Sequence, residues 1–212
     1  MAVCYIAGAA PGAERIAPRP GDFLIAADGG LAHLLRWGLR ADLAIGDFDS
    51  LEAIPAGVPR EAYPRAKDDT DLSLALDRAI ALEYRHVIIT GAWGGRPDHA
   101  VGNIQLLVKA ARRGVFAQML CGGFIATAVI DNTALRLRGH GTVSVFACGG
   151  QAAGVTIRGL EYPLDNAILL DDTPLGVSNV LVGEGVAGEG TISLAQGTLL
   201  VFYEEGIKCD IA

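Results

Sequence analysis

His86-Val87-Ile88-Ile89-Thr90-Gly91-Ala92-Trp93-Gly94-Gly95-Arg96-Pro97-Asp98-His99 is the stretch that decides the fold. Its first five residues are largely β-branched and apolar and read as a strand. Three glycines and an arginine then form a loop. Beyond it, Val101, Ile104, Leu107, Val108 and Ala111 recur at helical spacing and are expected to face inward. Strand, loop and helix in that order make one unit of a mostly parallel sheet with helices on its faces.

The same alternation extends toward the N-terminus. Residues 2–7 and 22–27 read as strands, and Leu31, Leu34, Leu35 and Leu39 follow Asp28-Gly29-Gly30 at helical spacing. Residues 42–45 form a short strand that runs into an acidic cluster. Asp68-Asp69-Thr70 offers N-cap chemistry for a helix whose inner face carries Leu72, Leu76, Ala79 and Ile80. Acidic residues there also suit the positive end of the helix dipole. Open α/β sheets bind ligands beyond the carboxyl ends of their strands. Asp28, Asp47 with Asp49, and the loop at 91–98 all fall at such ends.

From about Ala126 no amphipathic helix is found. Short apolar runs at 134–137, 142–147, 155–157, 180–182, 191–194 and 199–203 are separated by Gly, Asp, Asn and Pro. That pattern reads as an all-β sandwich or barrel. The expected organisation is a Rossmann-like α/β domain over 1–127 and a β-sandwich over 128–212, with the boundary between about Gly123 and Asn132.

Composition narrows the class. Hydrophobic residues make up 51% of the 212 and charged residues 19%, which suits a globular chain. The net charge of −7 and pI near 5.0 argue against nucleic acid or an anionic membrane as the main partner. No apolar run approaches the roughly 20 residues that span a bilayer. The run Ala2-Val3-Cys4-Tyr5-Ile6-Ala7 lacks a basic flank and is broken at Gly8 and Pro11, so it reads as a first strand, not a signal core. Cys4, Cys121, Cys148 and Cys209 are far apart and show no C-x-x-C pairing. They are expected to be reduced and mostly buried, in a cytoplasmic protein.

The negative charge is concentrated. Between Asp42 and Asp77 nine acidic residues face three basic ones, a local balance of −6. Crowded like charges call for a cationic compensator, and a divalent metal is the simplest. Asp47 and Asp49, two apart on an extended loop, can point the same way. Mg²⁺ takes one or two protein carboxylates and fills its other positions with water and substrate phosphates. Turn and capping aspartates are the alternative for this pair, and ordinary N-capping is the alternative for Asp68 and Asp71. The glycines at 91–95 let backbone N–H groups approach phosphate oxygens at a helix start, and Arg96 can add a bidentate contact. A plain glycine turn is the alternative, because neither a Gly-Lys-Ser/Thr loop nor G-x-G-x-x-G is present. His33, His86, His99 and His140 show no metal-ligand spacing. Trp93 either stacks on a base or covers the core.

Taken in order, Ala27-Asp28-Gly29-Gly30, Gly46-Asp47-Phe48-Asp49-Ser50, Lys67-Asp68-Asp69-Thr70-Asp71 and Gly94-Gly95-Arg96-Pro97-Asp98-His99 resemble thiamine pyrophosphokinase. Gly159-Leu160-Glu161-Tyr162-Pro163-Leu164 and Gly176-Val177-Ser178-Asn179 resemble its second domain. The resemblance implies an α/β nucleotide-binding catalytic domain, a β-sandwich that binds thiamine, and a homodimer with active sites between subunits. It implies a transferase that moves the pyrophosphoryl group of ATP to the hydroxyethyl oxygen of thiamine, giving AMP and thiamine diphosphate. By match to the family, Asp47, Asp49 and Asp71 hold Mg²⁺ and the triphosphate. Arg96 and Asp98 sit at the reacting phosphates, and Asp71 or Asp98 accepts the hydroxyl proton. Asp28, Gly29, Gly30, Lys67, Asp68, Thr70, Gly94, Gly95, Arg96 and His99 serve the nucleotide. Asp98, Tyr162, Leu164, Ser178 and Asn179 serve thiamine, and Asp69 is left to capping. The rival readings are a pyrophosphokinase acting on a pterin alcohol and a non-catalytic nucleotide- or metal-binding module.

Overall fold

The computed structural model describes residues 2–47, 57–64, 68–183 and 187–212. It divides into two compact units, Met1–Gly122 and Gly123–Ala212. Phe48, Asp49, Ser50 and Lys67, all part of the motifs above, lie outside the described residues.

In the first unit, β1 (Cys4–Ala7) lies between two parallel partners, β2 (Phe23–Ala27) and β5 (His86–Thr90). Beyond β2 come β3 (Leu43–Gly46) and β4 (Arg60–Ala62), and beyond β5 comes β6 (Phe116–Leu120), all parallel. The order β6-β5-β1-β2-β3-β4 grows one way from β1 to β4 and then switches to the other side of β1. A sheet wound in this way opens a crevice at the carboxyl ends of the two strands where the direction reverses. Here those strands are β1 and β5.

Sequence dictates these strands directly. β3 is buried along its whole length and β1 nearly so, as a strand covered on both faces must be. Small residues (Ala7, Ala26, Ala44) leave room for the leucines of α1 (Gly30–Arg36), of which Leu31 and Leu34 are fully buried. Leu35, expected on the same face, is exposed. α2 (Asp71–Ala81) buries Leu72, Ala75, Leu76 and Ala79. α3 (Pro97–Arg112) buries Leu107 and Val108 as expected, together with Leu106 and Ala110, but Val101 is 60% exposed. The first turns of this helix carry polar residues of the cavity described below, so its apolar packing starts later than periodicity suggests.

The second unit is antiparallel throughout. β7 (Phe124–Ile130), β9 (Thr142–Ala147), β12 (Gly176–Val180) and β14 (Thr198–Glu204) follow the order β12-β9-β14-β7. β8 (Ala134–Gly139), β10 (Ala152–Arg158), β11 (Leu164–Leu169), β13 (Gly188–Ser193) and β15 (Lys208–Ile211) form the sheet β11-β10-β13-β8-β15. Alternate residues point inward from both sheets: Val143 and Val145, Leu199 and Val201, Leu135 and Leu137, Val155 and Ile157 are all buried. This is sandwich patterning. The strand expected at 180–182 instead begins at Gly176, and Leu181 makes only an isolated bridge to Leu160.

All four cysteines are free, with Cys148 half-buried and the others buried. Burial pushes the Cys4 and Cys209 thiols up to about 12, which leaves them unreactive. Among the described residues no helix is long and apolar enough to cross a membrane.

Candidate active site

The crevice between β1 and β5 is built by backbone contact that only glycine allows. β1 runs out into Gly8, whose N–H donates to the Thr90 carbonyl at 2.8 Å, and the Ala10 N–H donates to the Gly91 carbonyl at 2.8 Å. A Cβ on Gly91 would strike the Gly8 carbonyl, and the φ of +62° at Gly91 independently favours glycine. Gly30 lets the start of α1 seat against the Ala7 carbonyl. A cavity of about 430 Å³ opens above this floor.

Four carboxylates reach it from three segments of the chain. Asp28, Asp47, Asp69 and Asp71 all line the wall. Asp28 turns the chain from β2 into α1 with a φ of +46°, a strained setting for a residue with a side chain, and its N–H is fixed to the Ile45 carbonyl at 2.7 Å. Asp47 follows directly on β3. Thr70 is the N-cap of α2, its Oγ1 accepting from the Ser73 N–H at 3.2 Å, which sets Asp71 in the first turn. Asp69, expected to do the capping, is a wall residue instead; Thr70 does both.

The local excess of charge is thereby divided. Asp42 accepts the Leu24 N–H at 2.9 Å, Glu61 pairs with Arg78 at 2.9 Å, and Asp77 pairs with Lys109 at 2.7 Å. These three acids lie outside the cavity wall, whereas Asp28, Asp47, Asp69 and Asp71 line it.

The opposite wall comes from the loop after β5 and the start of α3: Gly91, Ala92, Gly94, Arg96, His99 and Asn103. Arg96 forks onto Asp98, Nε to Oδ1 at 3.1 Å and Nη2 to Oδ2 at 2.5 Å, with both side chains exposed. The Arg96 hydrogen bond holds the Asp98 carboxyl down at about 2. Asp98 itself, with Gly29, Gly30, Asp68 and Gly95, is absent from the wall, whereas Asp28, Thr70, Gly94, Arg96 and His99 are part of it. Trp93, in the same loop, is 38% exposed.

Sequence reasoning missed two contributors. The segment Gly8-Ala9-Ala10-Pro11 lines the cavity, where the sequence shows only a broken strand. Asn103 donates from Nδ2 to the Ala92 carbonyl at 2.7 Å, tying α3 to the glycine loop. Its position one turn beyond His99 was the available signal. His33 braces the first loop through Nε2 on the Ala10 carbonyl at 3.1 Å, while Nδ1 accepts from Arg36 at 2.8 Å.

The wall offers four carboxylates, one imidazole (His99) and no thiol, and the hard carboxylate oxygens fit Mg²⁺. Among the described residues no group of three or more His, Cys, Asp or Glu side chains is arranged to hold a metal ion.

In the second unit, Asn179 is 5% exposed, and its amide meets the backbone of Tyr162 twice. Ser178 sits at φ +59° where β12 bulges against β9, its N–H on Ser144 Oγ at 3.0 Å. Tyr162 is 62% exposed, and Leu164 opens β11 half-buried.

Comparison with known proteins identifies the class and then the family. Residues 19–119 match the model of the thiamin pyrophosphokinase catalytic domain, and 133–199 match that of its vitamin B1 binding domain. Both matches place the chain among transferases of the kinase type. A thiamine pyrophosphokinase of Bacillus subtilis (strain 168) is 31% identical over 192 residues, 84% of this chain and 85% of that protein. The crystal structure of thiamin pyrophosphokinase from Geobacillus thermodenitrificans, 28% identical, gives a TM-score of 0.81 over 96% of this chain and 97% of that one. The yeast thiamin pyrophosphokinase, at 15% identity, shares the fold with a TM-score of 0.71 over 96% of this chain and 86% of that one. The chain belongs to the thiamine pyrophosphokinase family, and it is an enzyme, a thiamine diphosphokinase.

Proposed function

We propose that the cavity of the first unit holds the triphosphate of ATP, and that the second unit supplies the thiamine contacts. The observation that carries this reading is the meeting of Asp28, Asp47, Asp71 and Arg96 on one cavity at the strand switch point. Asp47 and Asp71, with Asp49, are the residues assigned to Mg²⁺, and Asp28, Lys67, Asp68, Thr70, His99 and the glycines at 29, 30, 94 and 95 to the nucleotide. When bound, Mg²⁺ supplies neutralisation of phosphate charge.

The reaction forms a bond between the hydroxyethyl oxygen of thiamine and the β-phosphorus of ATP. The bond from that phosphorus to the α–β bridging oxygen breaks, and AMP leaves with the electron pair. Positioning and charge stabilisation do most of the work in such transfers. The Arg96 guanidinium has the planar fork that matches a phosphate edge. The hydroxyl proton passes to a carboxylate. Asp71 and Asp98 are the two assigned to this role, and the hydrogen bond from Arg96 lowers the basicity of Asp98. On the thiamine side, Tyr162, Leu164 and Ser178 are the contact residues, with Asp98 at the transferring group.

The decisive assay is incubation of the protein with Mg²⁺, ATP and thiamine, followed by nucleotide analysis. AMP and thiamine diphosphate in equal amounts are expected. ADP as the product, or AMP release independent of thiamine, would overturn the reading. A pterin alcohol run in parallel should yield no AMP. The homodimer and a cytoplasmic location belong to the same proposal. Free, mostly buried cysteines suit a reducing compartment, and a sedimentation mass of twice 22.0 kDa is expected.

A further inference from the structure

The Asn179 amide has almost no bonding capacity left for a ligand. Oδ1 accepts from the Tyr162 N–H and from the Val180 N–H, both at 2.9 Å, and Nδ2 donates to the Tyr162 carbonyl at 2.7 Å. An amide oxygen has two lone pairs and an amide nitrogen two N–H groups, so three of the four bonds are used. The side chain is also 5% exposed. The same turn is stitched to β12 on either side, by the Glu161 N–H on the Val180 carbonyl at 2.9 Å and by the Leu160–Leu181 bridge. Tyr162 itself is 62% exposed. A large aromatic side chain pointing to solvent from a backbone fixed on both sides is a preorganised contact face.

We propose that Asn179 is a positioning residue that acts through Tyr162: its buried amide clamps the Tyr162 backbone so that the phenol ring is held out as a face for the cationic ring of thiamine. Ser178, exposed in the adjoining bulge, is then the member of the Ser178-Asn179 pair that touches ligand. The inference rests on the thiamine reading above and assigns the two neighbours different jobs. A ring face attracts a cation, and its loss weakens binding by about 3- to 30-fold.

The test is a double-mutant cycle on the thiamine KM, with ATP saturating. Tyr162→Ala is expected to raise it about 3- to 30-fold, with kcat and the ATP KM within about twofold, and Tyr162→Phe, which keeps the ring, should leave it near the unmodified value. Asn179→Ala should raise the thiamine KM in the same way. In the Tyr162→Ala background it should add nothing, since the residue it positions is gone. Effects that multiply would overturn the proposal and make Asn179 an independent contact. An unchanged KM in Tyr162→Ala would also overturn it, and that exposed substitution does not depend on Asn179→Ala folding. Slow hydrogen exchange of the Tyr162 amide is expected in the unmodified protein, and rapid exchange would remove the clamp. Failure of the unmodified enzyme to turn over thiamine would instead strike the functional reading, so the two failures are distinguishable.

Discussion

Arg96 and Asp98 are locked to each other by two parallel hydrogen bonds at the start of α3, at 3.1 and 2.5 Å. The pair decides what each can do in the reaction. A guanidinium committed to a carboxylate must exchange it for phosphate, and a carboxylate held by a guanidinium is a weak base. The Asp98 carboxyl is depressed from 3.8 to about 2, chiefly by its hydrogen bond to Arg96. A depressed folded value stabilises the fold at pH above the unfolded value, and that contribution is lost as pH falls toward 2. Because both groups are exposed, the effect on stability is small. The effect on titration is measurable: carboxyl-carbon NMR should place Asp98 near 2, and Arg96→Gln should return it toward 3.8. An Asp98 that titrates the same with and without Arg96 would show that the pair does not form in solution.

Asp47→Asn and Asp71→Asn separate a catalytic from a structural role for the acidic wall. Each removes charge from the cavity without changing side-chain volume. Loss of a group that stabilises charge in phosphoryl transfer costs several kcal/mol, so AMP release should fall about 100-fold or more. Turnover should fall far more than melting temperature, because relief of like-charge repulsion along the cavity wall offsets part of what each carboxylate gives the fold. Asp77→Asn is the contrast: its partner is Lys109 on α3, so turnover should be kept while some stability is lost. Turnover that survives at Asp47 and Asp71 would return both to turn and capping duty.

Much of this arrangement was legible in the sequence, for reasons that particular elements make clear. β3 and β5 are buried from both sides, so their composition carries the signal, and Thr70 declares its helix start by chemistry. β4, β11 and β15 were not legible, and each lies at the end of a sheet. An edge strand needs no continuous apolar face, and the charges of Arg60 and Glu61, or of Lys208 and Asp210, are what keep such an edge from pairing elsewhere. Val101 was misplaced because periodicity orders residues around a helix but does not say where along it packing begins. Asn179 was assigned to the ligand by motif, and only the structure shows its amide occupied by Tyr162.

Thr70 carries two functions that substitution can separate. As N-cap of α2 its hydroxyl satisfies the Ser73 N–H, and loss of a cap costs about 1 kcal/mol. Thr70→Ala should therefore lower the melting temperature by about 2–4 °C for a chain of this size. Thr70→Ser keeps the cap and should melt near the unmodified protein. If the hydroxyl also meets the nucleotide, Thr70→Ala alone will raise the ATP KM, with Thr70→Ser unaffected. Equal ATP KM values in all three would confine Thr70 to capping.

Gly30 tests whether the floor of the site is set by backbone packing. A Cβ there would collide with the Ala7 carbonyl and crowd the Gly8 backbone. Neither neighbour can swing aside, since both belong to the main chain of β1 and its exit loop. Gly30→Ala must therefore push α1 away from β1, and overpacking of this kind costs about 3 kcal/mol. That corresponds to a fall of about 6–12 °C in melting temperature. Asp28 sits two residues upstream, so its place in the cavity wall should move with α1 and turnover should fall as well. Gly38→Ala supplies the comparison: its φ of +73° disfavours a side chain, but nothing lies within 4 Å of the added carbon. The cost there is the backbone term alone, about 1–2 kcal/mol, with turnover unchanged. If Gly30→Ala proves no worse than Gly38→Ala in stability and activity, the close seating of α1 on β1 is not what shapes the cavity.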